Sequence, residues 1–572
     1  MSSDRDNGRS TKRGAVAAWL RYFPPAVWLA EYKAAWLAGD LIAGVTLAAY
    51  AIPVSLAYAS LAGLPPQAGI YGYLMGGLGY ALFGSSRHLA VGPTSAVSLM
   101  VGGTVAAMAG GNVERYAQIA SLAGFTVALL CLIAWLLRLS ILVRLISDSI
   151  LVGFKAGAGL TIIMTQLPSL FGVSSDGQNF FERAALLAGH LGQTNFLVLT
   201  LGSIAILVLL LGERFLPGRP VALGVVALAI IAASVFGLPA LGVPTTGEVP
   251  GGLPFLAGPA MRLRDVEGLF PLAAGCLLLA YVEGVSAART LAAKHGYTVD
   301  PRQEFLGIGA ANLAAALGHG YPVAGGLSQS AVNDKAGART PLALIFASLT
   351  LALCLLFLTG LLANLPKAVL AAVVLTAVIG LIDVPGLFRM WRISKLDFYA
   401  AMIALGGVLL LGILQGILLA ALASVLMLLA RASRPHVAFL GRIPGTNSYS
   451  DIARHPENEP LRDLIVFRPE ASLLYVNADS ILESVLERVR KAGPCDVRLV
   501  ICDLSASPYI DLAGSRMLHQ LHGQLASRDI ALRVVGARGR VRDLLRAEGI
   551  DEKVGGLDRL QTLNDLLDSA RT

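Results

Sequence analysis

Runs of about 20 predominantly apolar residues recur from near Leu41 to near Leu429 and then stop. Nothing else in the chain constrains its fold as tightly. In hydrocarbon, every backbone N–H and C=O must be paired within the protein, so such runs must be helices packed as a bundle. The composition agrees, with 55% hydrophobic and 14% charged residues over 572 positions. Counting apolar runs separated by Gly, Pro or charge gives about fourteen segments, so the fold class is a polytopic α-helical membrane protein. The N-terminus, "MSSDRDNGRSTKRG", is polar and leads to no short apolar core with a small-residue cleavage site, so no cleavable leader is expected.

Charge sets the orientation. Of the formal excess of +8, much flanks the membrane region, with Arg5, Arg9, Lys12, Arg13, Arg21 and Lys33 before it and Arg431, Arg434 and Arg442 after it. The positive-inside rule then puts both termini in the cytoplasm of a multi-pass protein of the cell (inner) membrane, with an even number of spans. Cys131, Cys276, Cys354, Cys495 and Cys502 form no CxxC pair, so a reduced chain without zinc or disulfides is expected. "HQLH", with His519 and His522, reads as a solvated helix face rather than a metal site. No cofactor or nucleic-acid partner is called for; the partners expected are the bilayer and a small solute.

A Pro/Gly-rich stretch, "GLPALGVPTTGEVPGGLPFLAGP" (237–259), lacks helix formers and reads as an extended linker outside the membrane. It follows an N-terminal segment (1–38) and divides a transporter domain (39–431) into halves of about seven spans, 39–237 and 268–431. Each half holds one short, broken segment in a matching place: "HLAVGPTSAVSLMV" (88–101) and "YPVAGGLSQSAV" (321–332). Matching interruptions point to an inverted repeat whose binding site lies where two discontinuous helices meet near the midplane. Irregular backbone is tolerated at that depth only where it lines a cavity or is covered by protein. Beyond Arg431 the pattern changes to alternating strands and helices, so 432–572 reads as a small α/β domain, its first stretch (462–493) as strand, strand, helix.

The stretches "GDLIAGVTLAAYAIPVSLAYASLAGLPPQAGIYG" (39–72), "GSSRHLAVGPTSAVSLM" (84–100), "LAYVEGVSAARTLAAKHGYTVDPRQEFLGIGAANL" (279–313), "NDKAG" (333–337) and "LPKAVLAAVVLTAVIGLIDV" (365–384) resemble the sulfate-permease (SulP) family of anion transporters, whose animal members form solute carrier family 26. The C-terminal part looks like the cytoplasmic STAS domain these transporters carry. The resemblance implies fourteen spans in two seven-span inverted repeats, a core bundle moving against a gate bundle, and a homodimer. It implies secondary transport of sulfate by default, with bicarbonate, a C4-dicarboxylate or anion exchange as alternatives.

The candidate site follows from the broken segments. Two half-helices aiming their N-termini at one point offer unpaired N–H groups and partial positive charge to an anion. Small residues at Gly92, Thr94, Ser95, Gly325, Gly326 and Ser328 let an ion approach the backbone and add hydroxyl donors, although such residues also serve close helix packing. Gln329 stands where many family members have Arg, and Val54 where many have Gln, so this site is poorer in charge and donors. Lys155 is a candidate site charge that could compensate, or could instead snorkel to the interface. Glu283 reads as the only acid deep in an apolar run, where removal from water favours the protonated form. Family members with a carboxylate there are similar to proton-coupled symporters, with sodium the other candidate ion; a structural carboxyl is the alternative. Asp300, Pro301 and Glu304 read as a helix start. In the STAS-like domain, Leu512 occupies the position where bacterial relatives carry a phosphorylatable Ser or Thr, with Ser515 a weak substitute.

Three other classes are less well supported. A pump or enzyme would need a phosphate loop or a nucleophile with its base, and neither motif is present. A membrane-anchored STAS scaffold would not need Glu283 or two broken helices. A nucleobase transporter shares the repeat architecture and would be separated by uracil competition.

Overall fold

In the computed structural model, residues 23–139, 147–173, 177, 179–216, 221–259, 262–492 and 497–569 are described. Arg5, Arg9, Lys12, Arg13, Arg21 and Cys495 lie outside them. The first half runs α1 (Leu37–Leu61), α2 (Pro66–Phe83), β1 (Val91–Gly92), α3 (Ser95–Ala109), α4 (Val113–Leu136), α5 (Asp148–Phe171), α6 (Phe180–His190), α7 (Phe196–Phe215) and α8 (Val221–Val235). The second repeats that order: α9 (Leu263–His295), α10 (Pro301–Leu317), β2 (Ala324–Gly325), α11 (Leu327–Lys335), α12 (Leu342–Phe357), α13 (Lys367–Ile379), α14 (Val384–Ile393), α15 (Lys395–Leu411) and α16 (Ile413–Ser433).

Setting aside the short helices α6 and α14, each half contributes seven membrane segments, and in each the third is a half-length helix preceded by a strand of two residues. Among the described residues, six helices are individually long and apolar enough to cross a bilayer, or seven if the bent pair at Phe180–Gly212 counts as one. Of the remaining segments, α2 is glycine-rich and largely covered by its neighbours, whereas the short α8 leaves Leu228, Ile231 and Val235 exposed. Two packed groups result. Helices α1, α2, α4, α9, α10 and α12 form one, with α3 and α11 against it; α5, α7, α13 and α15 form the other. The linker expected over 237–259 is largely extended, stitched to the second half by the Thr246 amide donating to the Leu365 carbonyl at 2.8 Å and by Gly252 donating to Leu355 at 3.0 Å.

Close approach explains the glycines of the first group. A Cβ at Gly69 would lie 2.0 Å from the Ser55 carbonyl oxygen, and one at Gly79 2.4 Å from that of Ala310. No side chain fits there, so α2 packs backbone to backbone on α1 and α10.

The chain divides into two compact units, Met1–Ser424 and Val425–Thr572, with the division inside α16. The second carries a five-stranded sheet in the order β4-β3-β5-β6-β7, from β3 (Val437–Arg442), β4 (Tyr449–Asp451), β5 (Leu464–Pro469), β6 (Leu499–Asp503) and β7 (Ala531–Val535). β5, β6 and β7 are parallel, and β3 is antiparallel to both β4 and β5. Helices α17 (Ala478–Ala492) and α18 (Leu512–Ala526) bury Ile481, Val485, Leu518 and Leu521 on its face, against Phe467 and Val500. Where a second strand was expected after β5, the structure has a loop with one bridge, Leu473 to Ile510. Its apolar residues cover the core without extending the ladder.

Candidate substrate site

The two broken segments meet. β1 pairs antiparallel with β2, Val91 opposite Gly325 and Gly92 opposite Ala324, and α3 and α11 begin within three residues beyond the strands. Thr94 and Gly326 are extended N-cap residues; the Thr94 side chain makes no capping bond and Gly326 has none to make, so the first N–H groups of each helix stay available to a ligand. The Thr94 hydroxyl is sealed from solvent and has no hydrogen-bond partner. Ser95 is buried and Ser328 exposed.

Steric limits fix the glycines. A Cβ at Gly92 would lie 2.6 Å from the Tyr73 ring. One at Gly325 would lie 2.9 Å from Leu89 Cδ2 and 3.0 Å from Gly284 Cα, and one at Gly326 3.1 Å from Gln329 Nε2. Gly325 therefore lies directly against α9, one residue from Glu283.

Gln329 corrects an expectation. Its amide nitrogen donates to the carbonyls of Ala90 at 3.0 Å and Ala324 at 3.1 Å, and its oxygen accepts from the Tyr73 hydroxyl. At 4% exposure it stitches the two extended segments together and has no donor left for an anion. Ser330 assists: its hydroxyl accepts from the Ala90 amide at 2.9 Å and donates to Gly326 at 2.7 Å. Asn312 grips Val323 through both its carbonyl and its amide, each at 3.0 Å. Sequence reasoning missed Tyr73, Ser330 and Asn312; an isolated amide at Asn312 in the apolar run "GIGAANLAAAL" was the available signal. Val54 is buried within α1.

Glu283 is not alone as a buried acid, because Asp40 and Glu304 are both 0% exposed. Their chemistry differs. Asp40 accepts from the Arg339 amide at 2.6 Å, the Thr340 amide and hydroxyl at 3.0 and 2.7 Å, and the Tyr32 hydroxyl at 3.3 Å. Glu304 accepts from the Tyr80 hydroxyl at 2.9 Å and from the Ser85 amide and hydroxyl at 2.9 and 2.6 Å. Both are anchored by several donors from neighbouring segments. Asp300 caps α10 as expected, accepting from the Arg302 amide at 2.8 Å, with Pro301 at the first helical position. Glu283, with a side chain 15% exposed, has one ion-pair partner among the described residues, Lys155 Nζ at 3.9 Å. That contact joins α9 of one packed group to α5 of the other.

A cavity of about 1080 Å³ lies between the two groups, lined by Ser60, Thr161, Gln166, Arg183, Lys367 and Gln415 among others. Its charged lining residues are Arg183 and Lys367, with no Asp or Glu, so its potential favours anions. It does not reach β1, β2 or Glu283. Thr161 is six residues beyond Lys155 on α5, a rise of about 9 Å, so the ion pair lies beyond the cavity floor toward the N-terminus of α5.

In the second unit, Leu512 is 51% exposed and has no hydroxyl. Ser515 is 0% exposed within α18, so the weak substitute site is closed to a kinase. His519 Nε2 lies 2.9 Å from the Glu548 carbonyl, which uses it structurally.

A polytopic fold with two crossed half-helices in inverted halves, followed by a STAS-type sheet and helices, defines a membrane transporter rather than an enzyme. The Sulfate permease family matches residues 37–404 and the STAS domain residues 455–566; the chain belongs to the sulfate permease family. It is 35% identical over 541 residues to a probable sulfate transporter of Mycobacterium tuberculosis, covering 94% of this chain and 96% of that one. In fold it is similar to SLC26A9, with a TM-score of 0.86 at 21% identity over 98% of this chain and 94% of the other. It is also similar to the transmembrane domain of a cyanobacterial bicarbonate transporter, BicA, with a TM-score of 0.59 at 22% identity over 69% and 98%.

Proposed function

We propose that this chain imports sulfate with a proton by alternating access, the anion binding at the facing N-termini of α3 and α11 and the proton at Glu283. The observation that carries the reading is a contrast: the fully buried Asp40 and Glu304 are held by several donors, whereas the partly buried Glu283 has, among the described residues, only Lys155 at 3.9 Å. A carboxylate held that loosely can exchange a proton without dismantling the bundle. Lys155 serves as its counter-ion when the proton leaves, in place of a donor from Gln329. The anion meets Thr94, Ser95, Ser328 and the backbone at Gly92, Gly325 and Gly326. Because the ion pair spans the two packed groups, neutralising Glu283 loosens the contact that holds them together on that side.

In this reading the protein works as a homodimer in the cell membrane with both termini and the STAS domain in the cytoplasm, as its flanking Arg and Lys residues favour. The test is uptake of labelled sulfate, bicarbonate and fumarate into proteoliposomes, with and without a pH gradient acid outside. Sulfate accumulation that needs the gradient is expected; gradient-independent uptake, or transport of another anion in preference, refutes it.

A further inference from the structure

Three side chains converge away from the half-helix crossing, where the segment before β1, the end of α9 and the end of α11 meet. His88 is 3% exposed. Its Nδ1 lies 3.1 Å from the Tyr297 hydroxyl, and its ring stacks on His295 with centroids 4.2 Å apart and planes 12° from parallel. Its Nε2 is sealed from solvent and has no hydrogen-bond partner within 3.5 Å among the described residues. A buried polar atom left unpaired costs free energy and calls for a ligand to explain it. Beside it, His295 Nε2 lies 2.5 Å from Asp334 Oδ1, and Lys294 Nζ lies 2.6 Å from the other carboxylate oxygen. One ligand atom from each of His88, His295 and Asp334 falls within 4.8 Å of the others.

We propose that His88, His295 and Asp334 form a binding site for a divalent transition cation of the zinc class. Two imidazoles and one carboxylate suit zinc, with a fourth position open to water on the side of His295, whose side chain is 26% exposed. The same set is poor for magnesium or calcium, which take oxygen ligands. Ligand atoms around tetrahedral zinc lie roughly 3.3 Å apart and an imidazole lone pair lies in its ring plane, so the cluster must contract, the stacked His88 and His295 rings must turn apart, and the His295–Asp334 hydrogen bond gives way to shared coordination. Lys294 keeps the second oxygen, orienting the carboxylate while reducing its charge. The ligands come from three segments, so the ion ties together the arm leading into β1, the long helix α9 and the second half-helix.

The test uses the full chain in detergent, stripped with chelator and titrated with zinc chloride alone, followed by calorimetry and thermal unfolding. About one equivalent should bind and raise the unfolding midpoint, with magnesium chloride having no such effect. H295Q should weaken zinc binding more than about tenfold, as should D334N, whereas H455Q, in the second unit, should leave it intact. H295Q alters a solvent-reached side chain at a helix end, so it decides the matter even if D334N fails to fold. Absence of binding at about 100 µM zinc, or affinity unchanged in H295Q, overturns the site and leaves an ordinary hydrogen-bonded cluster.

Discussion

On the proposed mechanism, replacing Glu283 by Gln should separate the proton from the anion. The amide keeps the shape and an acceptor but cannot titrate. Structurally the loss is small: the amide fills the same space and gives up one contact to Lys155 that, at 3.9 Å, is longer than a hydrogen bond. The thermal midpoint should therefore stay within about 3 °C of native. The functional loss should be large. One proton per turnover converts each pH unit into about 1.4 kcal/mol, or tenfold accumulation of anion. With the membrane potential clamped at zero, native proteoliposomes two pH units more acid outside should approach about a hundredfold accumulation and E283Q none. E283Q should still exchange labelled for unlabelled anion, because a permanently neutral side chain mimics the protonated carrier. Gradient-driven accumulation by E283Q would refute the assignment and leave Glu283 a structural carboxyl.

Gln329→Arg, which the sequence alone would favour as an added anion donor, should destabilise the chain by about 2–4 kcal/mol, because it strands an unpaired charge in a slot where three hydrogen bonds are lost; a folded variant with selectively tighter sulfate binding would contradict this. Gly325→Ala should lower sulfate uptake more than tenfold with normal membrane insertion, since its Cβ would sit 3.0 Å from Gly284 Cα; native uptake would show that β2 has slack. In the second unit, burial alone would raise the Asp451 carboxyl, but hydrogen bonds from His436 at 2.7 Å and the Ala453 amide hold it below its ordinary value. Its stabilisation is complete above the unfolded value of about 3.9 and is lost as pH falls through the lower folded value. Thermal unfolding between pH 6 and 3 should thus show native protein losing more stability than Asp451→Asn; equal losses would remove the ion pair from the account.

The broken segments were legible because Gly, Pro and Ser interrupt apolar runs at matching places in the two halves, and so were the strands "LIVF", "LVICD" and "LRVV". Their register was not, since it depends on side chains from elsewhere: Tyr73 on α2, Ser330 and Gln329 on α11, Asn312 on α10. Gln329 misled for that reason, being polar and well placed by position yet consumed by backbone carbonyls. Hydropathy reported depth along one helix and not cover by its neighbours. Asp40 and Glu304 lie near the starts of their helices and are nonetheless fully enclosed, while Glu283, mid-helix, is partly open.

The two-residue pairing of β1 with β2 has a consequence for direction. An antiparallel pair has local two-fold symmetry, and here it sits between halves whose order repeats. The backbone of the crossing therefore presents much the same pairing from either side, and asymmetry must come from side chains. The sequence offset that carries Gly92 onto Gly325 carries Tyr50 onto Glu283: the carboxylate on α9 has a phenol, not an acid, as its counterpart on α1. That mismatch is one source of difference between the two sides, and Gln329, which the same offset places opposite Ala96, is another.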